Sequence, residues 1–188
     1  MCQPDLFSDS PIAAEVVSVL TISSFETVIG NMVAVASEDL LYLLEFENET
    51  RLQKQMDALA RYVDAPLEIS NSSLHKWVSK EVNAYLRRDI KAFETPICSP
   101  GTPFQEMVWE YLRSIPYGQT VSYGDLAARL GMPQGQRAVG QAVGDNRLAI
   151  IIPCHRVVTY EGKLGGYAGG LWRKRWLLDL EAGNVPLL

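Results

Sequence analysis

Residues 148–156 read Leu-Ala-Ile-Ile-Ile-Pro-Cys-His-Arg, so a cysteine and a histidine follow directly on a short apolar run. The run is too short for a helix and is rich in isoleucine, which predicts a buried strand over residues 148–152 that ends at Cys154. An ionised thiol is a strong nucleophile near neutral pH, and a neighbouring base or positive field raises its thiolate fraction. We therefore expect the chemistry of this chain to centre on Cys154.

Two stretches around this run predict long amphipathic helices. Thr102 is a suitable N-cap and Pro103 suits the first helical position, and apolar residues then recur at helical spacing as far as Ile115. A closing helix is predicted over residues 171–181. We expect its inward face to carry Trp172, Trp176 and Leu180, with a basic cluster at residues 173–175 in its first turns.

Between these helices the sequence predicts two shorter ones. Ser122 can cap a helix that Gly131 closes, and another runs from near Gln134 to Gly144. A helix, a short turn and a second helix are typical of a helix-turn-helix motif, although a plain helical hairpin gives the same pattern. The second of these helices offers small residues, which permit close approach to DNA but cannot read base edges.

The first half of the chain predicts a small sheet followed by a helix. Three apolar runs are typical of antiparallel strands: residues 16–22, 28–36 and 40–46. An amphipathic helix is predicted over 73–91, and residues 94–101 break both patterns. The chain is therefore predicted to be an α+β protein with an N-terminal α/β domain over residues 1–95, a linker, and a mainly helical domain over residues 101–188.

Composition limits the class of protein. The 188 residues are 47% apolar, which is enough for a real core, and no apolar stretch approaches the roughly 20 residues that span a bilayer. The first ten residues are polar and are expected to be a loose terminus. Three cysteines are an odd number without paired spacing, which argues against a disulfide framework. We expect a monomer in the cytoplasm, or in the nucleus of a eukaryote, and no contact with membranes.

The net charge of −5 is divided unevenly along the chain. Residues 1–100 carry eight Lys and Arg against 15 Asp and Glu, whereas residues 101–188 carry nine against seven. The second half could therefore meet a polyanion locally, although an acidic, solvated first half explains the same split.

Adjacent residues of an extended segment point to opposite faces, so we do not expect His155 to touch the Cys154 sulfur directly. A base that acts through one bridging water is compatible with this spacing, provided that a carboxylate orients the far ring nitrogen. Glu181, at the end of the closing helix, is the candidate carboxylate.

Several separated motifs at mutually consistent spacings cover residues 101–184. They are Tyr117-Gly118, Val121-Ser122-Tyr123-Gly124, Arg137-Ala138-Val139-Gly140, Asn146, Ile152-Pro153-Cys154-His155-Arg156-Val157, Gly166-Tyr167, and Trp176-Leu177-Leu178 with Glu181. In these motifs the chain closely resembles the O6-alkylguanine-DNA alkyltransferases. The first half resembles that family only in its outline of a sheet plus helices.

The resemblance implies a ribonuclease H-like first domain and a winged-helix or helix-turn-helix-like second domain. It also implies direct DNA repair, in which one alkyl group passes from O6-alkylguanine in duplex DNA to Cys154, which is not regenerated. O4-alkylthymine is a further candidate substrate. Because the target atom lies inside the duplex, the nucleotide must be flipped out, at a cost of a few kcal/mol.

The resemblance also implies roles for individual residues. Cys154 matches the alkyl acceptor, and His155 and Glu181 match the relay that ionises it. Asn146 matches the residue that braces the cysteine turn, Tyr123 the proton donor to the leaving guanine, and Arg137 the residue that enters the base stack. The further expected DNA contacts are Tyr123, Gln134, Gln136, Ala138, Arg147, Arg156 and residues 173–175, and the expected pocket residues are Tyr167, Ala168, Pro153 and Ala149. Arg156 could equally be an internal brace. Because Ala149 is small, alkyl groups larger than methyl are expected to be admitted.

No metal or organic cofactor is expected. Cys2, His75 and Cys98 are scattered and lack a fourth ligand, and displacement at an alkyl carbon needs only a thiolate and a proton donor. Two other interpretations stay open. One is a helix-turn-helix module that binds lesions or operators without chemistry, and the other is a cysteine hydrolase that uses Cys154 and His155.

Overall fold

The computed structural model describes residues 17–184. The predicted loose terminus, residues 1–10, lies outside that range. No helix in the described part is long and apolar enough to cross a membrane.

The N-terminal part is built on a four-stranded sheet in the order β3-β2-β1-β4. Its strands are β1 Leu20–Phe25, β2 Met32–Ala36, β3 Leu41–Phe46 and β4 Leu67–Ile69. Three strands in the predicted order are confirmed, and the pairs β1–β2 and β2–β3 are antiparallel as expected. Strand β1 extends to Phe25, three residues beyond its predicted end, and β2 begins four residues later than predicted. The short strand β4 pairs in parallel with β1 and was not predicted, since three exposed residues give no periodic signal. Every residue of β2 and β3 is buried, which explains their nearly continuous apolar sequence.

Two helices accompany the sheet. Helix α1, Glu49–Leu59, was not predicted because it is mostly polar, and the Asn48 side chain caps it by accepting from the amide of Arg51. Helix α2, Ser73–Leu86, begins where predicted, with Ser72 as its N-cap. It ends five residues earlier than expected, because Arg88 adopts a left-handed conformation with φ 66°.

The predicted linker is attached to the sheet. Ile97 forms a parallel bridge with Leu41, and the Cys98 amide donates to the Leu41 carbonyl at 2.8 Å. Cys98 is buried and disulfide-bonded, whereas Cys154 is free. The cysteine count did not predict this disulfide, and the expectation is corrected on that point.

Helix α3, Pro103–Ser114, has the predicted cap, in which Thr102 and Gln105 form a capping box. Helices α4 Tyr123–Arg129 and α5 Gln136–Gly144 follow, joined by a turn in which Gly131 has φ 73°. Because only glycine adopts that conformation without strain, Gly131 ends α4 and lets α5 pack back on it.

The predicted strand over residues 148–152 is wrong. Only Leu148 pairs with the sheet, through an isolated bridge to Leu44, and the chain then turns, with Ile150 at φ 70°. Cys154–Arg156 form one turn of 3₁₀ helix. The isoleucines are buried because the turn is packed inside the protein, so an apolar run too short to be a helix was mistaken for a strand.

The chain closes with a two-residue parallel pair, β5 Val121–Ser122 and β6 Val157–Val158, and with helix α6, Leu171–Glu181. The extent of α6 is as predicted, and of its predicted inward residues Leu180 is buried and Trp176 packs against the core, but Trp172 does not face inward. Lys174, Leu177 and Glu181 are buried, whereas Trp172 is 57% exposed. One hydrophobic cluster contains residues from β2, β3 and α2 as well as from α3 to α6, so both parts of the chain share a core.

Candidate active site

Cys154 lies at the start of the 3₁₀ turn and is partly buried. Its sulfur accepts a hydrogen bond from Nδ2 of Asn146 at 3.2 Å. Burial raises the pKa of the thiol and the bond from Asn146 opposes that rise. The thiol is therefore a neutral group at rest, and it needs a base to become a nucleophile.

Asn146 holds the turn that carries the cysteine. Its Nδ2 also donates to the Ile152 carbonyl at 3.0 Å, and its Oδ1 accepts from the Leu148 amide at 3.0 Å. The side chain is buried and its bonds span both ends of the turn. This arrangement matches the bracing role expected from the sequence and fixes the direction of the N–H group that faces the sulfur.

His155 is fully buried, and its Nε2 lies 2.6 Å from Oε1 of Glu181. Burial lowers the pKa of the imidazole, although the hydrogen bond and charge of Glu181 raise it. A neutral ring that donates from Nε2 to the carboxylate keeps its lone pair on Nδ1. Nδ1 is buried without a hydrogen-bond partner in the described structure, so the ring nitrogen that could take a proton is unused.

Glu181 is the centre of a buried polar network. Its carboxylate also accepts from Arg156 at 2.9 Å, from the Gly118 amide at 2.8 Å and from the Tyr85 hydroxyl. Burial raises the pKa of this carboxyl, but the bonds from His155, Arg156 and Tyr85 outweigh it and hold the pKa at about 2. The group is therefore an anion that fixes the His155 ring. Tyr85 was not predicted from the sequence, because no local pattern connects α2 to α6.

Tyr123, Tyr167 and Lys174 surround the cysteine. Burial raises the pKa of both tyrosines, and the charge of Cys154 adds to that effect, so both phenols keep their protons. The Tyr167 hydroxyl is buried without a hydrogen-bond partner in the described structure. Close packing fixes the Tyr167 ring, since a side chain at Gly169 would lie 2.8 Å from it and 2.5 Å from Phe46.

Lys174 was expected to contact DNA as part of the basic cluster, and its position beside the cysteine was not predicted. Its ammonium is fully buried and donates to the carbonyls of Val157 at 2.6 Å and Gly166 at 3.0 Å. Burial lowers its pKa to about 8, and the charge of Cys154 raises it. The signal that could have found it is the i, i+3, i+7 spacing of Lys174, Leu177 and Glu181, which puts the lysine on the buried face.

The other predicted pocket residues are dispersed. Pro153 and Ala149 are buried, and the Ala149 amide donates to the Leu44 carbonyl at 2.8 Å. Ala168 is exposed in the loop that leads to α6. The admission of alkyl groups larger than methyl stays a prediction.

The outer face of α5 is an exposed surface beside the site. Gln136, Arg137 and Ala138 are exposed in its first turn, and Gln134 is exposed in the turn that precedes the helix. Gly140 faces the Tyr123 ring, where an added Cβ would lie 3.8 Å from the ring carbons. Arg137, which is exposed, and Gly140, which faces the Tyr123 ring beside the cysteine, are therefore about one helical turn apart on α5.

Comparisons with known proteins agree with this geometry. The family model for the DNA-binding domain of 6-O-methylguanine DNA methyltransferase matches residues 103–183. A methylated-DNA--protein-cysteine methyltransferase of Methanosarcina acetivorans is 38% identical over 157 residues, which cover 84% of this chain and 95% of that protein. The chain belongs to the methylated-DNA--protein-cysteine methyltransferase family.

Other members of this family align over different lengths. The Mycobacterium bovis protein is 49% identical over 106 residues, a segment that covers 56% of this chain and 64% of that protein. The crystal structure of Mycobacterium tuberculosis OGT in complex with DNA superposes with a TM-score of 0.74 at 34% identity, over 89% of this chain and 95% of that one. The mixed α+β fold is therefore shared along most of both chains.

Within this family fold, two arginines that were candidates for DNA contact lie inside the protein. Nη1 of Arg147 donates to the Pro100 carbonyl at 2.6 Å, and its guanidinium stacks on Trp109. Arg156 is held by Glu181 and by the Ile115 carbonyl. Both are buried, so neither lies on the DNA surface: Arg147 was wrongly assigned there, and Arg156 has the internal bracing role that was its alternative.

The three residues of the basic cluster at 173–175 differ in their exposure. Lys174 is buried, and Arg173 donates to the Ile29 carbonyl at 2.7 Å while its guanidinium lies over Phe46. Arg175 stays exposed. Among residues 17–184, no three His, Cys, Asp or Glu side chains are grouped so that they could hold a metal ion.

Proposed function

We propose that this protein repairs alkylated DNA by transferring one alkyl group from O6-alkylguanine in duplex DNA to Cys154, once per molecule. The observation that carries the proposal is the set of contacts at Cys154, where Asn146 donates to the sulfur and the neighbouring His155 is bound to Glu181 through Nε2 with Nδ1 unused. O4-alkylthymine is a second candidate lesion.

The thiol is activated by His155. A water between Nδ1 and the sulfur accepts the thiol proton and passes one to Nδ1, and Glu181 stabilises the imidazolium that forms. A direct cysteine–histidine dyad is less suited to this site, since the ring is fixed by Glu181 and no bond joins it to the sulfur in the described structure. The hydrogen bond from Asn146 stabilises the thiolate until it attacks.

The transfer is a displacement at the alkyl carbon. A bond forms between that carbon and the Cys154 sulfur, the bond to O6 breaks, and its electron pair goes to the guanine. Tyr123, which keeps its proton because its pKa is raised, donates that proton to a guanine ring nitrogen. The imidazolium then returns its proton to the tyrosine. The product is a thioether, which is a poor leaving group, and for that reason the protein acts only once.

The DNA is bound on the outer face of α5. The short side chain of Ala138 on that face permits close approach, and Arg137 beside it is exposed where it could fill the gap left by a rotated nucleotide. We expect the helix α4, the turn and α5 to act as a helix-turn-helix and the N-terminal sheet to be a ribonuclease H-like scaffold. Tyr167 and Pro153 border the space for the extruded base, and the protein is expected to act as a monomer in the cytoplasm.

A stoichiometry experiment tests the proposal. A fixed amount of protein is incubated with increasing O6-methylguanine duplex, and the restored guanine is counted per protein molecule. We expect a plateau at one. A plateau far above one indicates a hydrolase or another enzyme that turns over, and no restored guanine indicates a binding module. Cys154→Ser is the control, since it removes the thiol and leaves the rest of the site in place.

A further inference from the structure

The guanidinium of Arg51 lies between the N-terminal helix α1 and the turn that carries Cys154. Its Nη2 donates to the carbonyl of Asn146 at 3.0 Å, and its Nη1 is 3.3 Å from the carbonyl of Gly144 at the end of α5. Asn146 is the residue whose side chain donates to the Cys154 sulfur. One side chain therefore connects the N-terminal part to both the DNA-binding helix and the cysteine.

Arg51 is itself held in place. Its Nε donates to Oε2 of Glu45 on β3 at 2.6 Å, and Glu45 is 1% exposed. Gln55, also buried, accepts from Nη2 at 2.9 Å when its amide oxygen is turned toward the guanidinium. The buried Glu45 carboxylate therefore holds the Arg51 guanidinium in place, because separating the two would leave a buried charge without its partner.

We propose that Arg51 is a positioning residue for the transfer reaction. It holds the main-chain carbonyl of Asn146 so that the side-chain Nδ2–H of Asn146 stays directed at the Cys154 sulfur. The inference rests on the proposed function of Cys154. It gives the N-terminal part a role in the chemistry beyond that of a scaffold.

The charges around the sulfur favour the same role. Arg51 and Lys174 lower the pKa of the thiol, whereas Glu45 raises it, and Tyr123 and Tyr167 are the neighbouring phenols. Arg51 and Glu45 shift the pKa of the thiol in opposite directions, so the clamp and the charge of Arg51 can be separated by removing both residues.

The experiment compares four proteins with the wild type: Arg51→Met, Arg51→Lys, Glu45→Gln with Arg51→Met, and Lys54→Met. Lys54 is the matched control, since it lies on the same helix and forms an exposed ion pair with Asp145, next to Asn146, without contacting the Asn146 carbonyl. The readout is the rate of Cys154 alkylation by iodoacetamide as a function of pH, which needs no DNA. Affinity for undamaged duplex is measured in parallel.

We expect Arg51→Met to slow alkylation about tenfold to a hundredfold at neutral pH and to move the profile to higher pH, because a charge-assisted bond is lost. Arg51→Lys should recover part of the rate, and Lys54→Met should match the wild type. The double variant should stay slow, although its charge balance is restored.

A double variant that reacts like the wild type overturns the proposal, since Arg51 then only neutralises Glu45. If Arg51→Met does not fold because Glu45 is left unpaired, the double variant decides in the same way. Loss of duplex affinity with an unchanged alkylation profile also overturns it. Failure of the wild type to restore guanine would overturn the proposed function, while the alkylation profiles would still decide the role of Arg51.

Discussion

The interior around His155 and the outer face of α5 differ in burial and in the number of hydrogen bonds that their side chains form. In the interior, the Glu181 carboxylate has four protein partners, and the His155 ring is completely buried. On the outer face, Arg137 is exposed beside the exposed residues Gln136 and Ala138. Under the proposed function, the interior activates the Cys154 sulfur and the outer face binds DNA. A variant in the interior should therefore affect reaction with any substrate, whereas one on the outer face should affect duplex alone.

The largest effect is expected for Cys154→Ser. A serine hydroxyl is not ionised by an imidazole of this kind, so transfer should be abolished with both free O6-benzylguanine and lesion duplex. Gel-shift affinity for duplex should be unchanged, since the outer face of α5 is untouched. A loss of duplex affinity would mean that Cys154 is structural.

Glu181→Gln should lower the free energy of unfolding by about 3–5 kcal/mol, because it leaves Arg156 buried without its anion. The folded pKa of about 2 is below the ordinary value of 4.5. The stabilisation is therefore fully present above about pH 4.5 and is lost as the pH falls toward 2. Urea unfolding at neutral pH and near pH 3 should show the wild type and the variant approaching each other in acid.

Glu110→Gln is the control for this prediction, since it removes a carboxylate from an exposed ion pair with Arg113. Exposed pairs contribute about 0–1 kcal/mol, so its stability should stay close to that of the wild type. An equal loss for both variants would contradict a special role for the buried network.

Sequence and structure agree best where the signal is local. The caps Thr102 and Ser122 fix helix starts through bonds to nearby amides, and both were predicted, as was the start of α2 at Ser73. The pairing of His155 with Glu181 was also predicted, because the resemblance to the alkyltransferases supplied a contact 26 residues apart in sequence.

The wrong predictions concern charged residues that are buried. Neither the charge of a residue nor the local sequence pattern shows that it will be buried. Arg147, Arg156 and Lys174 looked like phosphate ligands because charged residues are usually exposed. Each instead donates to interior carbonyl or carboxylate oxygens supplied by distant segments. Arg51 was overlooked for the same reason, since only the folded chain brings α1 to Asn146.

Tyr123→Phe should slow transfer from both substrates by about a hundredfold, because proton donation by a positioned side chain contributes roughly that much or more. The ring stays, so packing against Gly140 and Gly165 is kept. Single-turnover kinetics with free O6-benzylguanine and with duplex should show similar losses. A loss of rate with duplex alone would mean that Tyr123 contacts DNA and does not donate a proton in the reaction.

The smallest effect in this series is expected for Arg137→Ala. Repair of duplex should slow about tenfold, since filling the gap left by the flipped nucleotide offsets part of a cost of a few kcal/mol. Reaction with free O6-benzylguanine should be unchanged. Arg87→Ala removes an exposed arginine at the C-terminal end of α2 and controls for the loss of one positive charge away from α5. Equal losses with both substrates would show that Arg137 has no part in flipping.

The most direct test is the mass of the protein after exposure to O6-methylguanine duplex, followed by mapping of the modified peptide. We predict that each molecule exchanges one hydrogen for one methyl group, that the adduct persists after the DNA is removed, and that it lies on Cys154. An unchanged mass, or a methyl group on any other residue, would contradict the activation of this sulfur by the buried His155 and Glu181.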